Sequence, residues 1–208
     1  MHVILVHGWL STPDMHFFPW LKQELEAHGH VVLALQMPNP ARPKRVEWMA
    51  QLDYALQANG DPADTVLLGH SLGTLTILHY LQTIYKGPPF KRIVLCAGFT
   101  RAFALPPLLP PRHAQLDHLR NKILHLPEVI LEDWFTHAVD ASTLRHHARA
   151  WTCIHAIDDP VVPFAEGVFL AKQLCAELIT ENKGHLIEFS PQGTLQLPSA
   201  LEAILSAS

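Results

Sequence analysis

Short apolar runs alternate along the chain with longer segments in which apolar and polar residues recur at helical spacing. The short runs have four to seven residues, are rich in Val, Ile and Leu, and are almost continuously apolar, which is typical of strands covered on both faces. They predict six strands: His2–Val6, His30–Leu35, Thr65–Leu68, Arg92–Cys96, Thr152–Ile157 and Glu177–Glu181. The segments between them predict five helices: Phe18–His28, Val46–Ala58, Leu72–Ile84, Ala165–Cys175 and Leu197–Leu205.

The spacing within one of these segments illustrates the helical pattern. Val46, Met49, Leu52 and Leu56 fall on one stripe of a helix with 3.6 residues per turn. Strands that alternate with helices through short links predict an α/β fold, with a mostly parallel sheet and helices on both of its faces.

One segment, from Phe99 to about Ala150, interrupts this alternation, because it contains no clear strand. It opens on Leu105–Pro111, whose four prolines exclude a helix interior or a central strand. The stretch from Gln115 to His147 then predicts two or three helices. Two interpretations stay open: an irregular crossover to the next parallel strand, or a cap over a site at the carboxyl edge of the sheet.

Composition narrows the class of protein. The chain has 208 residues, 49% of them apolar and only 16% charged, with a net charge of −4. This length predicts a single domain over residues 1–208, with the segment at about 99–150 as an insertion. High apolarity excludes a disordered chain, and the absence of excess positive charge argues against a nucleic-acid partner.

Cysteines and targeting signals bear on the compartment. Cys96, Cys153 and Cys175 are too few and too scattered for a disulfide framework or a paired-cysteine metal site, and each is predicted to be a small buried side chain. The first residues have no basic start typical of a signal peptide, and no run of about 18 apolar residues predicts a membrane span. We therefore expect a cytoplasmic protein with no membrane association.

The sharpest chemical signal is Gly69-His70-Ser71-Leu72-Gly73, which fits the pattern G-x-S-x-G. A predicted strand leads into it and a predicted helix follows, which is the strand–turn–helix setting of a nucleophile elbow. The sharp turn lifts the Ser71 hydroxyl clear of the sheet. Gly69 and Gly73 avoid a collision between strand and helix. The sequence therefore predicts that Ser71 is a nucleophile.

A serine hydroxyl needs a base, and the base needs an acid that fixes its tautomer. In this architecture the chain order is Ser, then Asp or Glu, then His. His185 is the single histidine after the acid candidates Asp158 and Asp159, although the chain has 15 histidines. We favour Asp159 as the acid, because Pro160 and Pro163 stiffen its turn, and expect Asp158 to cap the turn or face solvent.

Two backbone N–H groups are expected to stabilise the oxyanion that forms during acyl transfer. One is the amide of Leu72, directly after the nucleophile. The other is predicted in the loop after the first strand, at Trp9, where Gly8 permits a tight bend. An alternative for Trp9 is a core aromatic residue. His7 is expected to bond backbone within this loop.

No cofactor or metal ion is predicted. The chain lacks the glycine-rich phosphate loops of nucleotide-binding proteins and the H-E-x-x-H pattern of zinc enzymes. Pairs such as His146 and His147, or His137 and Asp133, are expected to be exposed or packed against helices. Trp48, Trp134 and Trp151 are expected in the core or in a pocket wall.

Together these motifs resemble the α/β-hydrolase superfamily and, within it, the small serine hydrolases grouped with retinoblastoma-binding protein nine and bacterial YdeN. The resemblance spans nearly the whole chain. It is carried by His7-Gly8, Met37-Pro38-Asn39-Pro40, Gly69–Gly73, Asp158-Asp159-Pro160 and Gly184-His185.

The resemblance implies a compact three-layer α/β/α sandwich with a six-stranded sheet in the order 2-1-3-4-5-6. It also implies Ser71, Asp159 and His185 as a catalytic triad. The chain departs from the group at Gly8-Trp9-Leu10, where several relatives have a Gly- and Asn-rich loop, and in its longer, proline-rich Phe99–Ala150 segment. No L-x-C-x-E stretch is present, so no protein partner is predicted.

The predicted function is hydrolysis of carboxylic esters with small or medium acyl groups, with a small-molecule acyl substrate and an acyl-enzyme. A thioesterase or amidase would use the same triad, because the triad determines that an acyl group is transferred but does not determine the leaving group. A non-catalytic binding protein on a hydrolase scaffold is the third alternative.

Overall fold

The fold is a six-stranded parallel sheet with helices on both faces. The structure is a computed structural model that describes residues 1–58, 60–101, 131–187 and 195–207. The strands are β1 (His2–Val6), β2 (Val31–Leu35), β3 (Thr65–His70), β4 (Arg92–Cys96), β5 (Trp151–Ala156) and β6 (Glu177–Glu181). Their order across the sheet is β2-β1-β3-β4-β5-β6, and every neighbouring pair is parallel. This confirms the predicted fold class and strand order.

The helices form the outer layers. They are α1 (Phe18–Ala27), α2 (Arg45–Ala58), α3 (Leu72–Thr83), α4 (Glu132–Phe135), α5 (Phe164–Leu174) and α6 (Pro198–Leu205), with short 3-10 helices at Pro62–Asp64 and Ala141–His147. One apolar core lies between the sheet and α2, α3 and α5, and a second lies between the opposite face of the sheet and α1 and α6. Of the helices described, none is long and apolar enough to cross a membrane.

Burial follows position in the sheet. All residues of β3 and β5 are buried, whereas β2 and β6, at the two edges, keep exposed or half-buried residues. Central strands are covered on both faces and flanked on both sides, which explains their continuous apolarity. Since all strands are parallel, their carboxyl ends meet at one edge of the sheet, where β3 delivers Ser71.

The predicted bounds differ by up to two residues from the observed ones. The third strand continues through Gly69 and His70, because His70 still pairs with Cys96 of β4. The second strand begins at Val31, where pairing with His2 starts, rather than at His30. The remaining elements shift by one residue or coincide with the prediction.

The apolar stripe of α2 is rotated relative to the predicted one. Val46 is 56% exposed, whereas Trp48, Met49 and Leu52 are buried. Arg45 is buried because its guanidinium donates to the backbone oxygen of Asp133 at 3.2 Å, so a tertiary contact turns this face of the helix inward.

Most of the predicted cap, including Leu105–Pro111, lies outside the described residues. Within the part that is described, α4 and the 3-10 helix at Ala141–His147 stand where helices were expected. Two contacts join its described parts to the rest of the fold. Arg101 forms a bidentate ion pair with buried Glu166, and the buried Trp134 indole donates to the backbone oxygen of Pro43 at 3.1 Å.

Candidate active site

Ser71 occupies the turn between the end of β3 and the start of α3. Its φ of 53° lies in the left-handed region, which is unfavourable for a residue with a side chain. Strained backbone of this kind persists only when the surrounding structure enforces it. Here the amide of Ser71 donates to the backbone oxygen of Cys96, at the end of the neighbouring strand, at 2.9 Å.

The glycines on either side of Ser71 allow backbone to pack against backbone. A Cβ on Gly69 would lie 2.8 Å from the carbonyl carbon of Gly73. A Cβ on Gly73 would lie only 2.2 Å from the backbone oxygen of Val6. The sequence predicted a collision between strand and helix, and the second contact is with the neighbouring strand β1.

His185 lies in the loop after β6 and reaches back over the carboxyl edge of the sheet. Its Nε2 is 3.0 Å from Ser71 Oγ, and its Nδ1 is 2.9 Å from Asp159 Oδ2. A carboxylate only accepts hydrogen bonds, so Nδ1 carries the proton and Nε2 is left to accept from the Ser71 hydroxyl. The structure thus brings together the three residues that the sequence selected.

Asp159 is the acid that meets His185, and its side chain is fully buried. Its other oxygen, Oδ1, accepts from the amides of Val161 and Val162 at 2.8 and 2.9 Å. These two bonds orient the carboxylate towards His185. They come from the turn that Pro160 and Pro163 were expected to stiffen.

Asp158, the neighbouring acid, is exposed and does not contact His185 through its carboxylate. Its Oδ1 accepts from the amide of Gly184 at 3.0 Å. The sequence predicts that Asp158 caps a turn or faces solvent, but it does not predict this bond to the residue before His185. The contact joins residues 26 positions apart, so no local sequence pattern predicts it.

Of the two amides predicted as oxyanion donors, one begins α3 and the other lies in the loop after β1. Leu72 is the first residue of α3, where a helix N–H has no acceptor within the helix. Trp9 lies in the loop after β1, which runs against Ser71: a Cβ on Gly8 would be 3.0 Å from Ser71 Cβ. Neither amide donates to another backbone group of the described residues.

Residues 37–41 brace the loop that carries Trp9. Leu10 donates its amide to the backbone oxygen of Pro40 at 3.0 Å, and the Trp9 indole donates to that of Ala41 at 3.3 Å. His7 accepts from the amide of Met37 through Nε2 and donates to the oxygen of Gly8 through Nδ1. This matches the structural role predicted for His7 and gives a physical reason for the Met-Pro-Asn-Pro run.

Burial favours the neutral form of His7. Desolvation lowers its pKa below the ordinary value, although the bond to Gly8 opposes this shift. A neutral ring has one donor and one acceptor, which are the two roles that His7 fills in this loop.

Two buried histidines next to the site were missed by sequence analysis. His70, directly before Ser71, donates from Nε2 to the backbone oxygen of His185 at 2.9 Å. His155, in β5, donates from Nε2 to the backbone oxygen of Val162 at 3.0 Å. The same nitrogen is 3.6 Å from Asp159 Oδ2. A Cβ on Gly167 would lie 2.3 Å from His155 Nδ1, so the ring packs directly on α5.

The structure also gives the positions of the possible metal ligands, the cysteines and the tryptophans. No group of three or more His, Cys, Asp or Glu side chains that could hold a metal ion occurs in the described ranges. Cys96 and Cys153 are buried, whereas Cys175 is exposed, contrary to the prediction, because it caps the end of α5 with a φ of 54°. Trp48, Trp134 and Trp151 are buried in the core, one of the two expected locations.

Comparison with known proteins points to one family. A family model described as serine hydrolase matches residues 3–203. YdeN of Bacillus subtilis strain 168 is 29% identical over 206 residues, covering 98% of this chain and 94% of YdeN.

Solved structures give the same picture of the fold. The crystal structure of the ydeN gene product from B. subtilis has a TM-score of 0.80 at 26% identity, covering 99% of this chain and 97% of that chain. Est1E from Butyrivibrio proteoclasticus, solved with ferulic acid bound, has a TM-score of 0.66 at 16% identity, over 99% of this chain and 86% of that chain. At that identity the likeness concerns the fold alone.

Proposed function

The chain belongs to the serine hydrolase family, and from this premise we propose that it cleaves carboxylic esters of small or medium acyl groups through Ser71, His185 and Asp159. The observation that carries the proposal is the pair of contacts at His185, 3.0 Å to Ser71 Oγ and 2.9 Å to Asp159 Oδ2. The first distance suits proton transfer from a nucleophile to its base, and the second suits an acid that orients that base.

Acylation is the first half of the proposed reaction. Ser71 Oγ attacks the carbonyl carbon of the ester while its proton passes to His185 Nε2. The Nδ1–H of His185 stays bonded to Asp159, which stabilises the imidazolium. The carbonyl oxygen becomes an oxyanion that accepts from the amides of Leu72 and Trp9. The tetrahedral intermediate then expels the alcohol, which takes the proton from Nε2 and leaves an acyl group on Ser71.

Deacylation repeats these steps with water. His185 Nε2 takes a proton from the water, which attacks the acyl carbon, and the same two amides stabilise the second oxyanion. Breakdown releases the carboxylic acid and returns the proton to Ser71 Oγ. The strain at Ser71 and the buried Asp159 support this assignment, because both hold reacting groups in place before substrate arrives.

The proposed partner is a small-molecule acyl substrate, and the steps require no cofactor. The proposed compartment is the cytoplasm. Three free cysteines favour a reducing compartment over an oxidising one.

A fluorophosphonate probe tests the nucleophile, because it phosphonylates an activated serine much faster than an ordinary one. We expect rapid labelling of the wild type and none of Ser71→Ala. Ser142→Ala is the control, since Ser142 is a distant serine whose hydroxyl bonds Asp140 at 2.6 Å. It should label like the wild type. A folded wild type that is not labelled at Ser71 would contradict the proposal and favour a binding protein.

A substrate panel tests the leaving group. We expect p-nitrophenyl esters with acyl chains of graded length to be cleaved with higher kcat/KM than thioesters or anilides of the same acids. The chain length with the highest kcat/KM gives the size of the acyl pocket. Faster cleavage of thioesters or anilides would move the assignment to a thioesterase or an amidase with the same three residues.

A further inference from the structure

His70 lies at the carboxyl end of β3, one residue before Ser71, and only 2% of its surface is exposed. Its Nε2 is 2.9 Å from the backbone oxygen of His185, 115 residues away in the chain. The turn that presents Ser71 is therefore bonded to the loop that presents His185 by two contacts. One is the bond between the side chains of Ser71 and His185, and the other is this bond to the backbone.

The chemistry of the contact fixes the state of the ring. A carbonyl oxygen only accepts, so His70 Nε2 must carry a proton. His70 Nδ1 is buried and has no partner among the described residues. A second proton on Nδ1 would have no acceptor, and burial lowers the pKa of His70 well below its ordinary value. His70 is therefore a neutral, single donor aimed at His185.

The packing around His70 leaves its ring little freedom to turn. Phe17 and Phe18 meet it edge-on, with ring centroids 5.6 and 6.4 Å away. The ring of His185 lies on it at 5.1 Å, and His16 approaches at 6.3 Å. The donor direction is thus set by neighbours from α1, from the segment before it and from the His185 loop.

The loop that carries His185 depends on contacts from outside. Gly184 and Leu186, on either side of His185, have φ values of 54° and 55°. Leu186 has a side chain, so this conformation is unfavourable unless neighbouring structure holds it. Asp158 holds the loop at the amide of Gly184, and His70 holds it at the oxygen of His185.

We propose that His70 is a positioning residue, which holds the backbone oxygen of His185 so that His185 Nε2 stays within hydrogen-bond distance of Ser71 Oγ. The inference rests on the proposed function, because positioning matters only if His185 takes the proton of Ser71. A displacement of about 1 Å in such a base lowers the rate by about 100-fold. His70 acts through the backbone of His185 and hydrogen-bonds neither the Ser71 hydroxyl nor the His185 imidazole.

Two substitutions test this role. His70→Leu removes the donor but fills a similar volume beside Phe17 and Phe18, so the protein should still fold, with a Tm lowered by no more than a few degrees. We expect its kcat to fall about 10- to 100-fold, with KM changed less than about twofold, and its rate of fluorophosphonate labelling to fall in parallel. His70→Gln places an amide N–H near the position of Nε2 and should recover most of the rate.

His79 is a matched control on α3. It is fully buried, and its Nε2 donates to the backbone oxygen of Trp134 at 2.9 Å. His79→Leu removes the same kind of bond about 12 Å along the helix from Ser71. We expect it to leave kcat within about twofold of the wild type. An equal loss of kcat in this variant would show that losing any such buried hydrogen bond lowers the rate, and it would overturn the proposal.

The outcomes separate this inference from the function it rests on. If the wild type is not labelled at Ser71, the proposed function fails. If the wild type is labelled and His70→Leu is labelled equally fast, the function stands and the positioning role is wrong. If neither His70 variant folds, the nitrogen-15 shifts of the His70 ring in the wild type decide. A neutral Nε2–H form at pH 6 supports the contact, and an Nδ1–H or doubly protonated form overturns it.

Discussion

The two sides of the candidate site are held in place by different kinds of contact. On the nucleophile side, backbone packs on backbone: the absent side chains of Gly8, Gly69 and Gly73 let β1, β3 and α3 approach around Ser71. Adding a single carbon at Gly73 would bring it within 2.2 Å of a carbonyl oxygen. A side chain added here cannot be accommodated by a small adjustment, because close-packed backbone can move only if a whole strand moves.

On the acid–base side, side chains hold loops through hydrogen bonds. Asp159 accepts two amides of its own turn, Asp158 accepts the amide of Gly184, and His70 and His155 donate to backbone oxygens. These bonds can be removed one at a time. Side chains added at the glycines around Ser71 should therefore cause loss of fold, whereas substitutions around His185 should cause a graded loss of rate.

Gly73→Ala should produce the largest effect, because its Cβ would overlap the backbone oxygens of Val6 and His7 at 2.2 and 2.7 Å. Both are strand-end backbone atoms, which no side-chain rotation can move. We expect a loss of more than about 4 kcal/mol in the free energy of unfolding, or no folded protein. Urea unfolding followed by circular dichroism measures it.

Gly29→Ala is the control that separates collision from backbone strain. Gly29 has a φ of 79°, but a Cβ there would meet no atom within 4 Å. The substitution should therefore cost only about 1–2 kcal/mol. If Gly73→Ala is no more destabilising than Gly29→Ala, the nucleophile side is not held by close backbone packing and the comparison is wrong.

Asp159→Asn should give the opposite pattern, with a folded protein and a large loss of rate. The remaining oxygen can still accept from the amides of Val161 and Val162, so the turn is kept. The new amide group faces His185 Nδ1 as a donor and so favours the wrong tautomer of the ring. We expect kcat on a p-nitrophenyl ester to fall on the order of 10⁴-fold, with a small change in Tm.

Asp140→Asn is the matched control for that substitution. Asp140 also accepts a backbone amide two residues ahead, from Ser142 at 3.1 Å, but at the start of the 3-10 helix at Ala141–His147. Its kcat should equal that of the wild type. A loss smaller than about tenfold in Asp159→Asn would show that His185 does not depend on this carboxylate for its tautomer.

Much of the fold and the three central residues of the site could be predicted from sequence, because both follow from rules that act along the chain. Continuous apolarity marks buried parallel strands, and chain order reduces the histidines to His185. Residues that act only through distant contacts could not be predicted. His70 occupies a position that the G-x-S-x-G pattern leaves free, and its role depends on a carbonyl 115 residues away.

The same limit explains the helix face that was wrong. Helical periodicity predicts that Val46 lies on the buried stripe of α2, and it gives no reason to expect a buried arginine at position 45. Arg45 is buried because Asp133, 88 residues later in the chain, accepts from its guanidinium. Periodicity reports the average environment of a face and carries no information on which distant segment will cover its end.

Asp158 should give the smallest effect, and it tests whether the acid–base side is held by bonds that act separately. Asp158→Ala removes the acceptor of the Gly184 amide, but the side chain is exposed, so water can replace it. We expect a loss of less than about 1 kcal/mol in unfolding free energy and a fall in kcat of less than about tenfold. Asp158→Asn keeps the acceptor oxygen and should match the wild type. A loss in Asp158→Ala as large as that in Asp159→Asn would mean that the His185 loop moves as one cooperative unit, and that the two sides of the site differ less than their contacts suggest.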